Sequence, residues 1–160
     1  MGISMFEIVV GSDFFYGSTD STYTCTFYCQ TSDGAFPDCE WTDFAHTVLL
    51  WWSEAVAQAA CTAENSFNLL FEDGPYWIDV SKRGDFATLR FRTGKRVAPV
   101  LPDVCLHYRE LAEALDQAMR RLSSALFLSG NPSAAQEMAE EAARLRKHAV
   151  LSETGKDEKR

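Results

Sequence analysis

Between Phe67 and Arg92 apolar and polar side chains alternate, and only two short turns interrupt the alternation. Phe67, Leu69 and Phe71 alternate with Asn68, Leu70 and Glu72. Tyr76, Ile78 and Val80 alternate with Trp77, Asp79 and Ser81, and Leu89 and Phe91 with Thr88, Arg90 and Arg92. A period of two is the mark of a strand with one face buried. Asp73-Gly74 is the pair a tight hairpin favours, because glycine takes positive φ without steric cost. Pro75 is tolerated after it, since a missing N–H matters little where a strand begins. Lys82 to Asp85, with Gly84, makes the second turn. A three-stranded antiparallel meander with one covered face is therefore expected.

The flanking segments complete an α+β pattern. Phe6 to Val10 reads as a short strand. From Ser21 to Thr31, Tyr23, Cys25, Phe27 and Cys29 share one face of a second strand and Thr22, Thr24, Thr26, Tyr28 and Gln30 the other. A helix should follow Trp41, capped by Thr42 or Asp43. Its inner stripe would be Phe44, Val48, Trp51, Trp52, Ala55, Val56 and Ala59, with Leu49 and Leu50 pointing away. So apolar a helix is expected to lie between two layers, the second supplied by a C-terminal helix. Gly94 to Pro102 reads as a loop. A long amphipathic helix should start at Asp103 and run along Val104, Tyr108, Leu111, Leu115, Ala118, Leu122 and Leu126. Arg109–Glu113 and Asp116–Arg120 would be paired on its surface. After Gly130, Asn131 and Pro132 have the chemistry of a new helix start, with a thin face of Ala135, Met138, Ala142 and Leu145. The expected order is β-β-α-β-β-β-α-α: a single antiparallel sheet of about five strands with helices on one face. Residues 1–151 would form one domain and 152–160 a charged, disordered tail.

Charge supplies the functional lead. No Lys or Arg precedes Lys82, whereas twelve carboxylates do. The first 81 residues carry about −12 and the remainder about +4, within a net charge of −8. An acidic half without internal counter-charge suits a basic protein partner and disfavours nucleic acid or an anionic membrane. The bland alternative is a solvated acidic surface. Two stretches combine carboxylates with large rings: Phe36 to Phe44, with Asp38, Glu40, Trp41 and Asp43, and Phe71 to Asp79, with Glu72, Asp73, Tyr76, Trp77 and Asp79. That composition offers charge steering and aromatic anchoring together. Against it stands an ordinary reading in which Trp41 and Tyr76 are core and the acids solvate loops.

Catalytic signatures are not found. His46, His107 and His148 sit in no nucleophile elbow or Cys/His pattern. Gly94-Lys95 lacks the remaining residues of a phosphate loop. Glu72, Asp73 and Asp79 offer carboxylates for acid–base work, but turn and strand positions explain them. Lys82, Arg83, Arg90, Arg92, Lys95 and Arg96 form a basic group near Trp77, and the same cations are available to neutralise the acidic half. Five cysteines, an odd and irregularly spaced set, read as mostly buried free thiols in a reducing cytoplasm. Cys25 and Cys29 would lie about 13 Å apart along one strand face, too far for one bridge or one metal. A zinc site from Cys29, Cys39 and His46 lacks supporting spacing, so no metal or cofactor is expected. The N-terminus has no basic n-region of a secretory signal and Phe6 breaks the myristoylation pattern. The longest apolar run, Val48 to Trp52, is five residues.

Trp41, Thr42, Asp43 and Phe44 ahead of a Trp-containing helix, Leu70 to Tyr76 in the meander and the long helix from Asp103 together resemble immunity proteins of bacterial polymorphic toxin systems. The likeness spans about residues 41–128. It implies a compact, acidic, non-enzymatic protein that blocks a cognate toxin by covering its active site or a neighbouring surface. The helix from Asn131 lies outside that layout. The alternative is an adaptor subunit, homodimeric through Leu49, Leu50 and the Ala-rich last helix.

Overall fold

A computed structural model describes residues 5–16, 23–94 and 101–150. The fold is α+β, with antiparallel sheets and three helices. The strands are β1 (Phe6–Val10), β2 (Phe15–Tyr16), β3 (Tyr23–Thr31), β4 (Gly34–Phe36), β5 (Thr42–Asp43), β6 (Glu64–Leu70), β7 (Tyr76–Arg83), β8 (Phe86–Thr93) and β9 (Val104–His107). The helices are α1 (Ala45–Ala59), α2 (Tyr108–Leu128) and α3 (Pro132–Leu145), the last continued by a wide π-type turn, Arg146–Val150.

The single sheet expected from the sequence is two. β3 is the hub of the first and pairs with β1, β2, β4 and β5. The second is the meander, in the order β6-β7-β8-β9. Its registers place Leu69 opposite Ile78, Ile78 opposite Phe91 and Val80 opposite Leu89, so these share one covered face. The alternation of β3 holds as well: Tyr23, Cys25, Phe27 and Cys29 are buried, and the residues between them are half-buried.

α1 is sandwiched as its composition requires, touching β3 and β6 on one side and α2 and α3 on the other. Its stripe is rotated from the expected one. Val48, Leu49, Trp52, Ser53 and Val56 are buried, whereas Trp51 is 45% exposed. Leu49 is thus core, and Leu50 packs partly against it. Trp52 donates its indole N–H to the Leu70 carbonyl at 2.8 Å, closing the end of β6. Ser53 donates to Glu141 at 3.0 Å and ties α1 to α3. Burial opposes ionisation of Glu141, but the hydrogen bonds from Arg144 and Ser53 outweigh it and hold the carboxyl below its ordinary range.

The start of α2 also differs. Val104–His107 is a strand on β8, with Leu89 opposite Val104 and Phe86 opposite His107. The cap is His107 rather than Asp103: its Nδ1 accepts the Arg109 N–H at 3.3 Å, while Glu110 accepts the His107 N–H at 3.0 Å. Beyond it the stripe Tyr108, Leu111, Leu115, Ala118, Leu122 and Leu126 is buried as predicted. The two predicted ion pairs form, Arg109–Glu113 at 3.2 Å and Arg120–Asp116 at 3.0 Å. Asp116 is nevertheless buried, and takes Arg146 at 3.4 Å as a second partner. Asn131 caps α3 with Pro132 in its first turn, and Ala135, Met138, Ala142 and Leu145 are its buried face. Buried apolar side chains from both sheets and all three helices form one contiguous core. No helix of the described residues is long and apolar enough to cross a membrane. The loop interior, 95–100, and the tail, 152–160, lie outside the described residues.

Candidate functional site

The two acidic-aromatic stretches, 30 residues apart in the chain, meet at one carboxylate. Asp43 was expected to cap α1. Instead it ends β5, opposite Cys25, with Phe44 as the helix cap. Its fully buried side chain accepts three donors: the Phe44 N–H at 2.7 Å, the Asp73 N–H at 3.2 Å and the Trp41 indole N–H at 3.3 Å. Burial pushes its carboxyl above the ordinary range, against the opposing pull of those donors. Asp43 therefore clasps the hairpin tip to the β4–β5 segment and is not itself a contact residue.

Aromatic packing reinforces the clasp. Trp41 meets Tyr76 edge-to-face with centroids 5.1 Å apart. Phe36 lies 5.7 Å from Phe71, 5.9 Å from Tyr76 and 5.0 Å from Phe91. Phe71 continues to Trp52 at 5.1 Å and Phe27 at 5.8 Å, deep in the core. Gly74 sits at φ +78°, and a Cβ there would come within 3.1 Å of the Tyr76 ring and 3.4 Å of Trp41. Both the turn and the approach of the two rings need glycine.

Four of the predicted contact residues ring this platform in solvent: Asp38, Glu40, Glu72 and Asp73 are exposed. Among the described residues none of these four carboxylates is in an ion pair. Trp41 and Tyr76 are half-buried between them. Glu40 holds φ +60°, the left-handed region that costs a non-glycine residue roughly 1–2 kcal/mol. Partial burial, the neighbouring Cys39 and the charges of Glu40 and Glu7 together raise the Tyr28 phenol.

Trp77 and Asp79 face the other side of the meander. The Trp77 indole donates to Asp79 at 3.1 Å, and Arg92 pairs with the same carboxylate at 2.9 Å. Asp79 is thus neutralised, and these two belong to a mixed-charge sheet face with Arg90, itself paired with Asp103 at 3.2 Å. The basic group read from the sequence is dispersed. Lys82 is buried, donating to the Thr62 carbonyl with its ammonium 5.1 Å from the Tyr108 ring centroid. Lys95 and Arg96 lie outside the described residues.

His46 stacks on Tyr23 at 6.1 Å and faces Glu137 at 3.4 Å. Burial lowers its imidazole, and Glu137 offsets only part of that. A groove of about 250 Å³ between β1 and α2 contains Glu7, Glu110 and Glu113. Arg121, the His107 N–H and Arg109 respectively engage them. The cysteines are less buried than expected: Cys25 and Cys29 are core, but Cys39, Cys61 and Cys105 are exposed. Among the described residues no three His, Cys, Asp or Glu side chains gather as metal ligands, so Cys29, Cys39 and His46 do not form such a group.

Comparison with known proteins returns no match: neither a family model, a curated protein nor a solved structure matches this chain.

Proposed function

We propose that this chain is a non-enzymatic protein-binding inhibitor of the immunity type, which neutralises a cognate bacterial toxin in the cytoplasm. One observation carries the reading. Two separately encoded acidic-aromatic stretches are clasped into one platform, with four exposed carboxylates, none in an ion pair among the described residues, around the half-buried rings of Trp41 and Tyr76. Rigid aromatic anchors inside a charged rim are the make-up of an interface that recognises a basic cleft quickly and holds it. Asp43 and Gly74 preorganise the surface, so little ordering entropy is lost on binding.

The test is co-expression with the product of the adjacent open reading frame. The native chain should protect the host. Asp38→Lys, Glu40→Lys, Glu72→Lys and Asp73→Lys combined should abolish protection while leaving the thermal melt close to native. The association rate should fall at least about tenfold between about 20 and 200 mM salt, as steering between opposite charges does. Protection that survives the fourfold charge reversal would end the electrostatic account.

A further inference from the structure

α2 keeps its amphipathic pattern until its last turn and then abandons it. Its solvent side runs through Glu110, Gln117, Arg120 and Ser124, and ends in Phe127 and Leu128. Phe127 is 67% exposed and Leu128 84% exposed. These are the most exposed large apolar side chains among the described residues. An amphipathic helix has no intramolecular reason to place them there.

They edge a groove of about 590 Å³ between α2 and α3, whose far wall is built from Ala135, Gln136 and Ala139. On the other flank of α2 a second groove, about 390 Å³, runs past Val10, Gly11 and Ala125. The two share Ser124, so the exposed end of α2 is a ridge between two hollows. No residue of the larger groove is charged, on a chain in which 24% of residues are. The two guanidiniums at the head of the ridge are already engaged, Arg120 by Asp116 at 3.0 Å and Arg121 by Glu7 at 2.9 Å.

We infer that this surface is the interface of a homodimer, in which α2 of one protomer lies antiparallel to α2 of its partner. Phe127 and Leu128 of each protomer then occupy the α2–α3 groove of the other. Three arguments select a second copy over another occupant. A two-fold contact needs a projection and a complementary hollow on the same patch, and this patch has both. Two chains of net charge −8 repel, so they meet where the lining carries no carboxylate, as in the larger groove. A charged peptide or nucleic acid would find nothing to pair with here. Area sets the strength: the two side chains present roughly 250 Å² per copy, against about 800 Å² per partner in a standard interface. Ridge and groove walls add to this, and the sum stays at the low end of specific interfaces. The dimer is accordingly concentration-dependent, with a dissociation constant on the order of 10–100 µM.

Sedimentation velocity on the full chain, from about 1 to 300 µM, tests this across the expected constant. The weight-average mass of the native chain should climb toward twice the monomer mass. Phe127→Ser with Leu128→Ser should raise the dissociation constant about tenfold or more. Ala139→Glu, on the hollow side, should do the same, and decides the matter if the double variant fails to fold. Circular dichroism melts should stay near native, since all three positions are exposed. A native chain that remains monomeric at 300 µM overturns the inference, even if it takes up a detergent micelle or an unrelated apolar helix. So does a dimer that both variants leave intact.

Discussion

Asp43→Ala probes the clasp directly. A hydrogen bond to a charged acceptor contributes about 1.5–3 kcal/mol, and a buried donor stripped of its acceptor costs about 1–3 kcal/mol. Alanine strips three donors: the Phe44 N–H, the Asp73 N–H and the Trp41 indole. Asp73 is exposed and Trp41 half-buried, so water recovers part of their loss. The Phe44 N–H opens α1 beside the core and bears most of its penalty. Removing a buried carboxylate returns some free energy. The balance is a loss of about 2–3 kcal/mol. Asn keeps an acceptor for the backbone donors but turns an amide N–H toward the indole, so Asp43→Asn should cost about 1 kcal/mol. Urea unfolding followed by tryptophan fluorescence reads both values, with an unchanged m-value showing that the unfolded state is unaffected. The pH dependence adds a sign. Because burial raises the folded pKa of Asp43, its stabilising contribution is fully present below the ordinary carboxyl value of 3.8. It is lost as pH rises through the folded value. The deficit of Asp43→Asn relative to the native chain should therefore shrink between about pH 3 and pH 6. An Asp43→Ala variant within about 0.5 kcal/mol of native would refute the clasp. A deficit that widens with pH would instead show that the three donors outweigh burial at Asp43.

The other expected outcomes are independent of it. His46 has its imidazole lowered by burial, so the unfolded chain takes the proton first, and stability falls as pH drops through the ordinary imidazole value of 6.5. His46→Gln should flatten the fall in Tm between about pH 7 and 5, and a parallel pair of curves would remove the imidazole from the explanation. Brief iodoacetamide treatment at mild alkaline pH, read by intact mass, should modify Cys39, Cys61 and Cys105 and spare Cys25 and Cys29. Burial pushes the Cys25 thiol up to about 12, and modification of the core pair without denaturant would contradict the packing of β3. Glu40→Gly relieves a left-handed backbone at the cost of unfolded-state entropy, so stability should change by less than about 1 kcal/mol. Toxin association should nonetheless weaken. A destabilisation above about 2 kcal/mol would mean that Glu40 has a structural partner.

What was legible in the chain follows the range of the interactions. The meander could be read because period-two alternation and an Asp-Gly turn are local. β9 could not: Val104 and Tyr108 continue the i, i+4 stripe of α2, and Asp103 has the chemistry of a cap. Pairing of Val104 with Leu89, a non-local bond, decides the matter. The real cap, His107, acts through a ring nitrogen that propensity does not anticipate. In α1 the stripe through Val48, Trp52 and Val56 was visible, but whether Leu49 or Trp51 flanked it depends on where α2 and α3 lie. β4 and β5 are too short to show a period. Both halves of the candidate surface stood out by composition. Their meeting depends on Asp43, which sequence reasoning assigned to a helix end, and on the small size of Gly74 beside Trp41.

β3 draws all four of its partner strands from residues 6–43, so the first sheet can assemble as soon as that stretch leaves the ribosome. The helix that covers β1 ends at Leu128. At about 5–20 residues per second the nascent sheet waits on the order of 5–15 s with one greasy side uncovered. Soluble yield is then governed by that interval of synthesis, and slowing initiation or supplying a holding chaperone should raise it more than any substitution that hardens the finished molecule.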